Sequence, residues 1–203
     1  MKSSEITVGN QGQGMLEAMD ITEKFGEECG LGKKEILRLR LLSEELRGLL
    51  NGITGDVKAL FWLEREGKRF ELHLKADLSL SQEIRKQLLA VSTSGENDAA
   101  KGFMGKVREL IAISQLPKEF AGTGKTMLSL GVMSMGSPGG YRSGSFNWSL
   151  SKYRTEIEST HTNSSEAEAA WDELEKSIVA NIADEVKVSI IGQTVEITII
   201  KEF

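Results

Sequence analysis

Lys33–Ile53, KKEILRLRLLSEELRGLLNGI, decides how the rest of the chain is read. Ile36, Leu39, Leu42, Leu46, Leu49 and Ile53 recur every three or four residues and so line one face of a helix of about five turns. Strong helix formers fill the interior, broken only by Gly48 and Gly52. A second stripe runs beside the apolar one: Arg40, Glu44, Gly48 and Asn51. A small residue between a carboxylate and an amide is where a ligand can approach the backbone closely. The ordinary alternative is a solvated flank that happens to contain glycine.

Outward from this helix, the flanking elements follow from periodicity. Met15–Cys29 carries Leu16, Met19, Phe25 and Cys29 as a partial apolar face and is expected to be a helix, stopped by Gly30 and Gly32. Residues 1–14 are polar and glycine-bearing, and are expected to be a flexible N-terminal segment or an edge strand at ITV. After the organising helix, Val57, Ala59, Phe61 and Leu63 alternate with more polar neighbours. Glu66-Gly67-Lys68 turns the chain, and Phe70, Leu72, Leu74 and Ala76 alternate again.

Ser79 and Gln82 form a capping box ahead of a helix with Ile84, Leu88 and Val91. A further helix carries Phe103, Val107, Leu110 and Ile111 and stops at Pro117. Leu128, Leu130 and Val132 suggest one strand, and Phe146, Trp148 and Leu150 another, joined by the loop MSMGSPGGYRSGS. Arg154–Asn163 reads as polar and exposed. Ser165 and Glu168 open a helix with Trp171, Leu174, Ile178 and Ile182 on one face. The chain then runs through Val186, Val188 and Ile190, a turn at Gly192-Gln193, and Val195, Ile197 and Ile199, a hairpin that is β-branched at nearly every inward position.

This order predicts a two-layer α+β sandwich, with helices on one face of a mostly antiparallel mixed sheet. Residues 15–203 form a single domain in this reading, with an enlarged middle region at about 92–163. The 203 residues suit one domain, and apolar content of 39% with 27% charged residues suits a protein with a real core. A net charge of −5 argues against a nucleic-acid partner. A single cysteine, Cys29, excludes an internal disulfide, and two separated histidines exclude a motif-style zinc site. The opening MKSSEITVGNQGQG has no apolar signal core and no stretch is long enough for a membrane span, so the expected compartment is the cytoplasm.

Few residues carry recognisable chemistry. AGTGKT ends like a phosphate-binding loop, but the first glycine of that pattern is replaced by Glu119 and no apolar strand precedes it. His73 lies between inward-facing Leu72 and Leu74 and is expected to point away from them; His161 lies in a polar segment. Asp77, just past a strand, is placed to reach a ligand, or else to cap the turn towards Ser79.

The layout resembles the histidine-kinase-like (GHKL or Bergerat) ATPase domains, nearest the anti-sigma-factor serine kinases. LLSEELRG resembles their Glu-x-x-x-Asn helix motif, with Glu44 in the acid position and Gly48 where the asparagine belongs. A second register makes Asn51 the metal-binding amide and puts Arg47 in the place of the preceding acid or amide. LHLKAD delivers Asp77 to the adenine-binding position, followed by LSLS without the expected glycines. SIVANIADEVKVSIIGQTVEITIIKEF resembles the closing helix and hairpin, although DELEK puts Glu175 where a phosphate-facing glycine belongs.

The resemblance implies an ATP site with Mg2+. Glu44 would be the catalytic carboxylate that positions the attacking water or hydroxyl, Asp77, Asn51 and Gly48 would contact nucleotide, and Asn51 would hold the metal. It also implies a regulatory protein partner or a homodimer. The departures imply that hydrolysis or phosphotransfer is weak or lost, because a carboxylate at a helix start repels phosphate and a missing amide removes a magnesium contact. An active protein serine kinase and a non-nucleotide interaction module are the alternatives.

Overall fold

The computed structural model describes residues 1–48, 50, 57–77, 145–160, 165–191 and 193–203. Leu49, Asn51, Ile53, AGTGKT, His161 and the elements expected between residues 78 and 144 lie outside the described residues.

Among the described residues, six strands form one sheet: β1 (Ile6–Gly9), β2 (Lys58–Glu66), β3 (Arg69–Asp77), β4 (Ser145–Ser149), β5 (Glu185–Ile191) and β6 (Thr194–Glu202). Their order across the sheet is β1-β2-β3-β6-β5-β4, and every ladder between them is antiparallel. The β2–β3 hairpin closes on Glu66↔Arg69, with Gly67 at φ 60°, a left-handed turn conformation that glycine adopts without a Cβ clash. The β5–β6 hairpin closes on Ile191↔Thr194 and lies beside β3 through the long β3–β6 ladder, Arg69↔Glu202 to Asp77↔Thr194. The two hairpins expected from alternation therefore share one sheet.

Helices α1 (Met15–Glu28), α2 (Lys33–Gly48), α3 (Leu150–Thr160), α4 (Ser165–Lys176) and α5 (Ile178–Ile182) supply the second layer. α1 packs on β1 and β2, α2 on β3 and β6, and α3 on β4 and β5. The inward strand residues Phe61, Leu63, Phe70, Leu72, Val188, Ile197 and Ile199 join Leu39, Leu42 and Leu46 in one core. Leu39, Leu42 and Leu46 are all 0% exposed, so the apolar face of α2 is the one that periodicity selects. α1 ends at Cys29 with Gly30 at φ 75°, and the Leu31 amide returns to the Gly26 carbonyl, a glycine-terminated helix end.

Several local expectations are corrected. The N-terminal stretch is held in the sheet, with β1 on β2, the Ser3 amide on the Leu63 carbonyl and the Arg65 amide on the Met1 carbonyl. The edge strand, and not the flexible segment, is what forms there. Leu16 faces solvent, while Ala18, Thr22, Phe25 and Gly26 form the buried side of α1.

Residues 154–160, expected to be polar and exposed, belong to α3. Leu150, Tyr153 and Ile157 are spaced by three and four and all are buried, so Leu150 begins a helix instead of ending a strand. The helix expected to run from Ser165 to Ile182 breaks at Ser177, whose hydroxyl accepts from the Ala180 amide and starts α5. The break rotates Ile178 out to solvent and puts Val179 in the core.

Candidate functional site

α2 is the element on which the expected site is built. Its C-terminal half buries Leu42, Ser43, Leu46 and Arg47 and leaves Glu44 exposed. Two polar contacts tie the helix to α1. Arg40 pairs with Glu23 at 2.8 Å, and Ser43 shares a 2.8 Å hydrogen bond with Thr22 in a fully buried position. The Thr22 hydroxyl donates to the Ala18 carbonyl at 2.7 Å, so its single proton is committed and Ser43 is the donor between the two hydroxyls. A Cβ built on Gly48 meets nothing within 4 Å among the described residues. Asn51, the other candidate amide, lies outside the described residues.

Asp77 ends β3 on an exposed carboxylate that accepts a 2.6 Å hydrogen bond from the Thr194 hydroxyl, its direct cross-strand partner. Val195, the next residue of β6, is buried under the helices, so Thr194 and Asp77 lie on the opposite sheet face. The residue that alternation turns towards the helix layer at this end of β3 is Ala76, which is buried and has no polar side chain. Glu44 and Asp77 are thus on different sides of the sheet.

Glu175 lies in the last turn of α4, where its Oε1 accepts from the Trp171 indole at 2.9 Å. It precedes the helix break at Ser177, and the α5 start beyond it is satisfied by Ser177 itself. Asp184, at the helix-to-strand junction, accepts 3.0 Å contacts from the Lys201 ammonium at both oxygens and a 2.6 Å hydrogen bond from the Glu202 amide. Burial alone would push its carboxyl up, but the Glu202 amide, Lys201 and the nearby charge of Arg154 outweigh that and hold it below the usual aspartate value. Glu185 accepts from the Ser151 amide and hydroxyl, at 3.1 and 2.5 Å, and so caps the start of α3. Both junction acids are anchors of the fold.

Sequence reasoning missed three polar features. Arg47 is 8% exposed, and its Nε meets no hydrogen-bond partner among the described residues. The Thr22–Ser43 link has no local signature, because its members are 21 residues apart. Thr194 was readable only as the residue after a turn, since its role depends on the β3–β6 register. No helix among the described residues is long and apolar enough to cross a membrane. Comparison of the chain with protein-family models, with curated proteins and with solved structures finds no match.

Proposed function

We propose that this chain is a regulatory protein built on a histidine-kinase-like ATPase scaffold, in which hydrolysis and phosphotransfer are lost or very weak. The element order supports the scaffold: a two-helix layer, a hairpin, a closing helix and a terminal hairpin beside the first one. The observation that carries the loss of activity is the Asp77–Thr194 hydrogen bond, which engages the candidate adenine carboxylate on the face away from α2. Gly48 supplies no side-chain oxygen for magnesium, and phosphoryl transfer depends on that neutralisation. Fold without site residues is a weak argument for activity.

A regulatory role fits a domain that retains a well-packed helix layer and sheet while its site residues diverge. The same observation favours a second reading, a protein-interaction module that binds no nucleotide, since it places Asp77 on the sheet face away from α2. Calorimetric titration of ATP with Mg2+ into wild type and Asp77→Asn distinguishes the two. Binding in both proteins with no turnover supports a nucleotide-responsive regulator that does not use Asp77. No heat in either supports the interaction module. Binding that Asp77→Asn abolishes would overturn the assignment of Asp77 to the far face.

A further inference from the structure

We propose that Glu64, Glu71 and His73, on the sheet face away from the helices, bind a divalent transition-metal ion of the zinc class. Glu64 and Glu71 are direct cross-strand partners on β2 and β3, and His73 is two residues beyond Glu71 on the same face. One donor atom from each side chain lies within 4.8 Å of the other two. Zinc–ligand bonds of about 2.0–2.2 Å at a tetrahedral centre put neighbouring donor atoms about 3.4 Å apart. His73 Nε2 and Glu71 Oε2 are 3.3 Å apart.

An acidic pair on a strand is ordinary, so the argument turns on the histidine. His73 is 8% exposed, and its buried Nε2 makes no hydrogen bond among the described residues, although Glu71 Oε2 lies 3.3 Å from it. An unsatisfied buried ring nitrogen costs free energy that a metal bond would recover. The other ring nitrogen, Nδ1, has the Thr198 hydroxyl at 3.3 Å and Glu196 at 3.7 Å, the outer partners that orient a metal-binding imidazole. Trp62 stacks on the ring at 4.7 Å and 2°, which fixes its plane.

Both carboxylates are held at one oxygen and have the other to offer. Glu64 Oε1 accepts from the Trp62 indole at 2.8 Å, and Glu71 Oε1 pairs with Arg69 at 2.6 Å. An imidazole with two carboxylates suits zinc-class ions better than magnesium or calcium, which take oxygen donors. A cleft of about 250 Å3, lined by Met1, Lys2, Arg65, Glu66, Arg69 and the two glutamates, gives solvent access to the carboxylates, and a water would complete a tetrahedral set. Lys2 and Arg69 compete for the carboxylates, through side chains that are 46% and 40% exposed.

This proposal stands apart from the nucleotide reading. Its test is titration of the metal-free full chain with Zn2+ by calorimetry, and with Co2+ by visible absorption. One equivalent should bind, with a tetrahedral Co2+ spectrum. Glu71→Gln and His73→Gln should each weaken binding by at least about tenfold, and Lys2→Ala should tighten it by removing a competing cation. Glu71→Gln preserves shape and leaves the Trp62–His73 stack untouched, so it remains informative if His73→Gln misfolds. No Zn2+ binding, or binding unchanged by Glu71→Gln, would overturn the proposal; the latter would place the ion elsewhere.

Discussion

Leu42→Ala is the most demanding test of the packing. Leu42 is 0% exposed at the centre of the α2 stripe, with the sheet beneath, α1 along one flank and α5 along the other. Removing three carbons loses about 0.8 kcal/mol of transfer free energy for each, roughly 2.4 kcal/mol together. A cavity adds to this unless the surroundings collapse, and measured Leu→Ala losses at such sites are about 2–5 kcal/mol. Because α2 is held from three sides, little collapse is available and the loss should fall at about 3–5 kcal/mol.

For a chain of this size that is roughly a 6–20 °C drop in Tm. Urea unfolding should show a lower midpoint with an unchanged slope, which marks a stability change alone. Leu37→Ala, on the exposed side of the same helix, is the internal control and should stay within about 0.5 kcal/mol. A loss below about 0.5 kcal/mol for Leu42→Ala, or an equal loss for Leu37→Ala, would refute the placement of α2.

The buried hydroxyl pair should respond asymmetrically. Ser43→Ala leaves Thr22 bonded to Ala18 and should cost about 1 kcal/mol, whereas Thr22→Val strands the Ser43 donor and should cost about 1–3 kcal/mol, both read by urea unfolding. Asp184→Asn should cost about 0.5–1.5 kcal/mol at neutral pH, discounted for the carboxylate's partial exposure. The folded carboxyl lies below its ordinary value, so its contribution is present in full above about pH 3.9 and fades as pH falls through the lower folded value. Wild type and Asp184→Asn should therefore converge in acid, and a gap that widened there would reverse the sign of this linkage.

Much of the sheet was legible because strand alternation is a local signal. Phe61, Leu63, Phe70, Leu72, Val188, Ile197 and Ile199 are inward by period two alone, and each is buried. The α2 face was equally legible, since three leucines at helical spacing admit one orientation. α3 was missed because its face is carried by only Leu150, Tyr153 and Ile157 among polar residues, and Leu150 also completes a strand-like alternation with Trp148. The break at Ser177 turns on one hydroxyl competing for a backbone amide, a contest that apolar periodicity does not register.

The candidate site was less legible than the fold. Glu44 and Asp77 stand at family-like intervals in sequence, but strand parity decides which side of the sheet Asp77 occupies. With Ala76 turned inward, the carboxylate one residue later is turned outward. The His73 cluster was half legible: alternation predicts that the imidazole leaves the core, but its carboxylate neighbours come from the pairing register.

The central proposal is that this chain turns over ATP very weakly or not at all. Its most direct test is a steady-state phosphate-release assay on the full chain with ATP and Mg2+, run beside Glu44→Ala. Kinases of ordinary competence turn over at about 1–100 per second. The account predicts a rate indistinguishable from background in both proteins. Turnover faster than about one per minute in wild type, abolished by Glu44→Ala, would contradict it, because each lost transition-state contact should cost about two to three decades in rate.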